Sequence, residues 1–294
     1  MFTGRRRLAA VGGAAAVAAG SAVGVQVSTA PPAAAALNAQ VYSRDSLINS
    51  ESYRFVTAPC PAGTKVLGGG GRLFNGEKSV ALQSLYPFSG SAGDGYAAQA
   101  LESSAGFGGD WYLRAYAVCG DRPSGWEIRY SGGTSLPIGE RRKPATVRCS
   151  AGKVVLGTGG VVSDVNRGVT FEAVTPTEEE VRVIGIEDPT DSFPLPPDFG
   201  VGAWAVCAAE PAGHQIRWNY STRTSDSGVG SSSPCEGSRK ILGVGLLNGS
   251  NGAAHAYSMW PYKPTTTGSG VVDTRLWKTV QRTWTVGAAS ICAY

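Results

Sequence analysis

Apolar and more polar side chains alternate in the segment WYLRAYAVC, which ends at Cys119. One face would carry Trp111, Leu113, Ala115, Ala117 and Cys119, and the other Tyr112, Arg114, Tyr116 and Val118. A repeat of two residues predicts a β-strand with one buried face. The segments VGAWAVC and VGAASIC, which end at Cys207 and Cys292, keep small residues two and four places before the cysteine. We expect the same kind of strand there.

Further segments have the short, β-branched or aromatic character of strands, among them KVLGGGG, VALQSLY, YAAQALE, VTFEAVT, EVRVIGIE and IRWNYSTR. Beyond the first 36 residues, no apolar spacing typical of a helix lasts two turns. The 41 glycines and the 16% of charged residues also favour short strands and many turns. The chain is therefore predicted to be all-β.

Three stretches that begin with a cysteine resemble one another: CPAGTKVLGGGG, CSAGKVVLGTGG and CEGSRKILGVGL, from Cys60, Cys149 and Cys235. In each, Leu stands seven residues after the cysteine, followed by Gly and by another Gly two residues on. A second cysteine closes each unit, 59, 58 and 57 residues after the first. This spacing predicts three homologous repeats of five or six strands, over 37–122, 123–210 and 211–294.

The glycine-rich stretches do not have the pattern of a phosphate-binding loop. That motif needs Gly-x-x-x-x-Gly-Lys-Ser/Thr between a strand and a helix, whereas Lys65 precedes the glycines and no helix pattern follows. Glycines at alternate strand positions permit a bulge or the close approach of a neighbouring backbone. We interpret them as packing strands.

The even number of cysteines indicates disulfides rather than a metal site, since no C-x-x-C pair occurs. Six cysteines allow fifteen pairings, and equivalent repeats should use equivalent bonds. We therefore predict Cys60–Cys119, Cys149–Cys207 and Cys235–Cys292. Each bond would stabilise its repeat by about 4 kcal/mol in the chain-entropy treatment.

The arrangement of the repeats has two alternatives. The segments WEIRYSGG and QIRWNYST each follow a closing cysteine across a tight turn, so a hairpin with that preceding strand is expected. Pairing of Gln40–Ser46 with Val286–Ala293 would then close a pseudo-threefold ring and remove two exposed edges. The alternative is three small β-sandwiches, in which each leading strand pairs within its own repeat.

Two resemblances rest on these motifs. Three tandem β units, each with an opening Cys, an apolar-Gly strand and a closing Cys, resemble the β-prism of the vitelline membrane outer-layer proteins, which implies a prism-like fold. CPAGTKVLGGG with a later AYAVC is similar to a repeat found widely in exported actinobacterial proteins of unassigned function, which implies an extracellular β module.

Residues 1–36 have the pattern of a signal peptide. Arg5, Arg6 and Arg7 precede a weakly apolar run of Ala, Gly and Val, and small residues offer a cleavage site after Ala36. The arginines followed by Leu8 resemble a twin-arginine export signal, with an ordinary secretory signal as the alternative. Without these arginines the net charge of +4 falls to about +1, so we expect an extracellular protein that binds neither nucleic acid nor a membrane.

Aromatic residues beside proline are the main candidates for ligand contact. Tyr86-Pro87-Phe88 and Trp260-Pro261-Tyr262 occupy equivalent positions in the first and third repeats. Proline stiffens a loop, so a neighbouring ring loses little entropy on binding, and flat rings stack on the C–H faces of sugars. The alternative is that these rings cover the ends of sheets. We take Tyr86, Phe88, Trp260 and Tyr262 as candidate glycan-binding residues.

Catalytic chemistry has weaker support. The two histidines, His214 and His255, occupy non-equivalent positions, and the densest acids, Glu178–Glu180 and Glu187-Asp188, belong to the second repeat alone. We assign no catalytic residue, metal or cofactor. The leading hypothesis is a secreted, non-enzymatic protein that binds a glycan or cell-wall polymer. The alternatives are an extracellular hydrolase of polysaccharide or peptide, and a structural coat or inhibitor protein.

Overall fold

Each predicted repeat contributes six β-strands to the computed structural model, which describes residues 36–132, 141–163, 168–187, 199–262, 267–278 and 281–294. The first repeat has β1 (Gln40–Asp45), β2 (Tyr53–Pro59), β3 (Lys65–Phe74), β4 (Val80–Gly90), β5 (Gly93–Glu102) and β6 (Tyr112–Gly120). The second has β7 (Glu127–Ser131), β8 (Arg142–Arg148), β9 (Val154–Ser163), β10 (Val169–Pro176), β11 (Glu180–Glu187) and β12 (Gly200–Ala208). The third has β13 (Gln215–Ser225), β14 (Gly228–Pro234), β15 (Lys240–Asn248), β16 (Ala254–Tyr262), β17 (Ser269–Leu276) and β18 (Arg282–Ala293). The proposed signal peptide lies outside the described residues apart from Ala36.

The strands form three six-stranded sheets, and each sheet combines two repeats. Sheet I has the order β1-β6-β3-β16-β17-β14, sheet II β2-β5-β4-β9-β12-β7, and sheet III β13-β18-β15-β10-β11-β8. Three strands of one repeat thus lie beside three strands of another, joined by β3–β16, β4–β9 and β10–β15. The expected all-β fold of three similar units is confirmed, and no repeat completes a sheet by itself.

The expected hairpin between each leading strand and the strand before it is wrong, and each leading strand pairs within its own repeat, as in the alternative. β1, β7 and β13 pair with β6, β12 and β18, the closing strands of their own repeats, rather than with the strand that precedes them. Gln40 therefore lies opposite Cys119, and Val286–Ala293 pairs with β13 and β15. The physical reason is that each closing strand already has two neighbours from its own repeat, so no free edge remains for the next repeat.

The repeated Leu-Gly pairs lie where the three sheets approach one another. A Cβ placed on Gly68 would lie 3.1 Å from Gly243 Cα and 3.2 Å from Gly157 Cα, and would overlap the carbonyl oxygen of Leu242. The same contacts occur at Gly157 and Gly243. Only glycine permits this approach of three backbones, which accounts for the motif as a packing feature.

The leucines before these glycines sit at β-bulges. The strand register shifts between Val66 and Gly68 and between Ile241 and Gly243, and β9 skips Leu156 in its pairing with β12. A bulge turns the extra side chain away from the alternating pattern. Leu67, Leu156 and Leu242 consequently join one small buried apolar cluster, separate from the larger core between the sheets.

The disulfides join Cys60 to Cys119, Cys149 to Cys207 and Cys235 to Cys292, as predicted. The first cysteine of each pair follows an edge strand of one sheet, and the second belongs to a closing strand of a different sheet. Each bond therefore ties two sheets together. The backbone N–H of Leu37 donates to the carbonyl oxygen of Tyr294 at 3.1 Å, which places the two ends of the described chain side by side.

The larger core is formed by inward side chains of all three sheets, including Trp111, Phe171 and Trp284. Trp111 and Trp284 are both buried, and the burial of Trp111 agrees with the alternation seen in the sequence. No helix in the described part of the chain is long and apolar enough to cross a membrane.

Candidate functional site

The outer face of sheet II carries a row of three aromatic rings contributed by both of its repeats. Trp204 on β12 pairs directly with Gly159 on β9 and with Tyr130 on β7. Tyr86 on β4 follows Leu85, which pairs with Gly160, so Tyr86 lies across from Gly159. We call Tyr86, Trp204 and Tyr130 the aromatic row.

The rings of the aromatic row contact one another. The Tyr86 and Trp204 centroids lie 5.1 Å apart with an interplanar angle of 23°, and those of Trp204 and Tyr130 lie 4.2 Å apart. Glycine at position 159 makes the first contact possible. A Cβ there would lie 2.6 Å from the carbonyl oxygen of Leu85 and 3.1 Å from Trp204 Cβ.

A shallow depression of about 500 Å³ lies against Tyr86 and Trp204 of the aromatic row. We call it the sheet II groove, and its other walls are Pro87, Phe88, Ser89, Trp126 and Ile128. Phe88 extends over the backbone of Gly95, where a Cβ would come within 2.5 Å of the ring. Neighbouring backbone thus supports the ring that forms one wall of the groove.

Polar contacts hold Trp126 and its surroundings in place. The indole N–H of Trp126 donates to the carbonyl oxygen of Val66 at 2.9 Å, and Lys65 Nζ lies 4.8 Å from the ring centroid. The same Lys65 forms an ion pair of 3.0 Å with Asp94, whose carboxylate also accepts a hydrogen bond from Ser89. Lys65 and Asp94 are therefore paired with each other, whereas the exposed Arg122 lies 5.8 Å from the same Trp126 ring.

The tyrosine of the groove keeps its proton. Partial burial, with a smaller contribution from Tyr53, raises the pKa of Tyr86. Its hydroxyl is therefore neutral at physiological pH and both donates and accepts hydrogen bonds. On the edge strand β2 of the same sheet, Tyr53 and Phe55 are each 47% exposed. The apolar surface of sheet II thus extends beyond the groove.

The other two predicted residues, Trp260 and Tyr262, lie on sheet I. Trp260 stacks on Tyr116 at 5.0 Å and meets Tyr262 edge to face at 5.1 Å. The guanidinium group of Arg72 lies over the Trp260 ring at 4.9 Å. Tyr116 is consequently 7% exposed, and Tyr262, at 43%, is the more accessible ring.

Trp204, Tyr130 and Trp126 are not beside prolines and so were not among the residues predicted to bind a ligand. A signal for Trp204 was present, since it stands three residues before Cys207 as Tyr116 does before Cys119. This position falls on the outer face of a strand whose cysteine points inward. Trp126 could not be placed from sequence, because its position depends on a contact with Val66 of another sheet.

The residues considered for catalysis do not meet in a cleft. His255 is fully buried, its Nε2–H donates to the carbonyl oxygen of Glu77 at 2.9 Å, and its ring lies 3.9 Å from that of Trp277. Burial lowers the pKa of His255 to about 3, so the ring is neutral. His214 is half-buried and contacts the carbonyl oxygen of Val155 at 2.8 Å.

The acidic run of the second repeat lies beside the residue that His214 contacts, since the N–H of Val155 donates to the carbonyl oxygen of Glu178 at 2.8 Å. Glu178, Glu179 and Glu180 line a depression at the turn between β10 and β11, where Glu180 forms an ion pair of 2.7 Å with Arg148. Asp188 lies outside the described residues. In the described part of the chain, no three His, Cys, Asp or Glu residues are grouped so as to hold a metal ion.

Comparison with known sequences adds no assignment. No protein-family model matches this chain, and no curated protein is similar to it.

Proposed function

We propose that this is an exported, non-enzymatic binding protein that holds a neutral glycan or cell-wall polymer in the sheet II groove. The observation that carries the proposal is the aromatic row, which borders an open depression on the outer face of the sheet. Ring contacts and a glycine gap fix the positions of the rings before any ligand arrives. Preorganised rings lose little side-chain entropy on binding.

The chemistry of the groove suits sugars. Its walls are aromatic and aliphatic side chains with the hydroxyls of Ser89 and Tyr86 among them. A sugar ring presents an apolar C–H face, which stacks on an aromatic ring, and hydroxyls at its edge, which bond to such polar groups. Aromatic walls with a few hydroxyl groups are therefore suited to binding a sugar.

The paired charges favour a neutral ligand. The described lining of the groove contains no charged residue. Lys65 and Asp94 neutralise each other beside Trp126, and Arg122, 5.8 Å from that ring, lies outside the lining. The expected ligand is therefore a neutral polysaccharide, or the neutral backbone of a cell-wall polymer.

The size of the groove suggests a short segment of such a chain. Trp126 precedes β7 and lines the groove, and Tyr130 lies on β7 four residues later, so the surface from the groove to the end of the aromatic row extends about 13 Å along the strand. A disaccharide or trisaccharide spans such a length. Affinity should therefore rise with oligosaccharide length and then level off at about this size.

An extracellular location is part of the proposal. The three disulfides are compatible with an oxidising environment, and residues 1–36 have the pattern of an export signal. The protein would meet its glycan outside the cell.

The test measures binding to oligosaccharides of glucose and of N-acetylglucosamine by calorimetry, together with pull-down on insoluble cell-wall material. We expect Trp204→Ala to weaken binding by about 2 kcal/mol, roughly thirtyfold. Tyr130→Ala should weaken it less, and because Tyr130 is 55% exposed its loss should leave the fold intact.

The matched control is Tyr220→Ala, which removes a ring of 54% exposure from the edge strand of sheet III. Binding by this variant should equal that of the wild type. Absence of binding to every neutral glycan, or equal losses for Tyr130→Ala and Tyr220→Ala, would refute the proposal.

A further inference from the structure

A second depression, of about 230 Å³, lies at one end of sheet I, where β3 and β17 end and β14 begins. Lys78 comes from the β3–β4 turn, Asp226 and Ser227 come from the β13–β14 turn, and Arg275 and Trp277 come from the end of β17. It shares no lining residue with the sheet II groove. We call it the basic pocket.

Backbone contacts fix the walls of the basic pocket. The N–H of Leu276 donates to the carbonyl oxygen of Ser227 at 2.9 Å, and the N–H of Trp277 donates to that of Ala253 at 3.2 Å. These two bonds attach the end of β17 to the neighbouring turns of the third repeat. The walls are therefore in place without a ligand.

A buried histidine holds the remaining wall. His255 packs beneath the ring of Trp277 at 3.9 Å and donates from Nε2 to the carbonyl oxygen of Glu77, the residue before Lys78. The first repeat is thereby attached to the third at this point. His255 itself is neutral, because burial lowers its pKa to about 3, and so it adds no charge to the pocket.

The charges of the basic pocket do not balance. Lys78 and Arg275 are two cations, and Asp226 is the one carboxylate among the residues of its lining. No ion pair between described residues involves Lys78 or Arg275. The indole N–H of Trp277 is buried and has no hydrogen-bond partner among the described residues. Because neighbouring atoms cover this N–H, the pocket offers a ligand the charges of Lys78 and Arg275 rather than the indole donor.

We infer that the basic pocket binds a small organic anion, in which a carboxylate or phosphate group is attached to a sugar-sized body. The anionic oxygens would accept hydrogen bonds from Arg275 and Lys78, since guanidinium and ammonium groups form charge-assisted bonds with such oxygens. Trp277 supplies an apolar wall for the body of the ligand. The site does not depend on the proposed glycan groove, and its ligand class differs.

The test titrates the protein with D-glucuronate, D-glucose 6-phosphate and D-glucose while amide chemical shifts are recorded. We expect saturable binding of one or both anions, with shifts at Arg275 and Trp277, and none with uncharged glucose. The two anions distinguish a carboxylate from a phosphate ligand. Affinity should fall as salt is raised, because the attraction is between charges.

Two variants and one control sharpen the result. Arg275→Gln should weaken binding at least tenfold, and Lys78→Gln, in an exposed turn where folding is not at risk, by about threefold. Arg223→Gln removes an exposed cation from β13 and should have no effect. Absence of saturable binding by both anions, equal binding of glucose, or an equal loss with Arg223→Gln would overturn the inference.

Discussion

Sheets I and II have the same strand arrangement but differently built outer faces. Each has a glycine on its third or fourth strand, Gly70 and Gly159, with a ring on either side of it. In sheet II the rings are Tyr86 and Trp204, which border the groove; in sheet I they are Trp260, which is half-buried beneath Arg72, and Tyr116, which is buried. The difference therefore arises from the residues around the pair.

Four positions next to these ring pairs account for the difference between the outer faces of sheets I and II. Small or aliphatic residues in sheet II stand where sheet I has large ones: Val161 for Arg72, Ser163 for Phe74, Gly202 for Arg114 and Gly200 for Tyr112. Phe74 and Tyr112 stack at 4.6 Å, and the Arg72 guanidinium lies 4.8 Å from Phe74 and 4.9 Å from Trp260. Sheet I thus forms a packed ladder of rings and guanidinium groups, whereas Tyr86 and Trp204 of sheet II stand beside an open groove.

Sheet III shows a third outcome. Gly245 occupies the glycine position, but its neighbours are Thr175 and Ala289, and the row keeps a ring only at the edge, Trp218, which lies 5.8 Å from Tyr220. One backbone pattern therefore carries an open aromatic face, a filled one and one with little aromatic surface. An internal repeat allows each face to change without altering the others.

The largest expected difference between the sheets is in stability. Trp260→Ala should lower the free energy of unfolding by about 3 kcal/mol, because Tyr116 and Arg72 both lose the ring they pack against. Urea unfolding followed by circular dichroism measures this, and glycan affinity should be unchanged. Tyr262→Ala, at the exposed margin of the same cluster, is the control and should have a much smaller effect. Loss of glycan binding in Trp260→Ala without destabilisation would mean that both faces bind ligand.

The second difference concerns pH, since sheet I carries His255 where sheet II has Ala81. Burial lowers the pKa of His255 to about 3, whereas an unfolded histidine takes up a proton near pH 6.5. Stability therefore falls as the pH drops below 6.5, by about 2 kcal/mol at pH 5. Urea titrations at pH 7, 6 and 5 should show this slope in the wild type and in His214→Gln. If the stability of His255→Gln falls with pH as steeply as that of the wild type, groups other than His255 cause the pH dependence.

The third prediction converts sheet II toward sheet I. Val161→Arg places a guanidinium group where Arg72 stands in sheet I, so it should cover Tyr86 and weaken glycan binding about tenfold, or about 1.4 kcal/mol. Calorimetry with the same oligosaccharides measures the change. Leu247→Arg, at the matching position of sheet III, should bind as the wild type does. Full affinity in Val161→Arg would show that the groove is not the binding surface.

The smallest effect is expected from the reverse change. Arg72→Val removes the cation from between Phe74 and Trp260 and should destabilise the protein by about 1 kcal/mol. Trp260 should become more accessible to acrylamide, which quenches tryptophan fluorescence. The contribution of Trp260 is the difference in quenching between Arg72→Val and Arg72→Val/Trp260→Phe. Arg223→Val, on an exposed strand, is the control. Unchanged quenching would mean that Arg72 does not shield the ring.

The sequence was informative where the constraint is local or repeated. The alternation around Trp111 predicted the buried face of β6, and the three Leu-Gly stretches predicted packing strands. Equal spacing predicted the disulfides. All of these follow from side-chain period or from equivalence between repeats.

Pairing and site composition depended on distant partners. The hairpin rule placed β7 beside β6, but that edge is already occupied by β1 from the start of the repeat. The candidates Tyr86 and Phe88 line the sheet II groove, yet Trp204 comes from another repeat through the β4–β9 pairing. A single sequence does not show that strands of two repeats pair in one sheet, because each repeat contains the same set of strands.

The hydrogen bond between Leu37 and Tyr294 has a consequence for engineering the chain. A short peptide could link these residues, and new termini could be opened at the turn after β6 or after β12, where the path already passes from one sheet to the next. Every strand would keep its neighbours in such a circular permutant. The order of the repeats would change while the sheets remained the same.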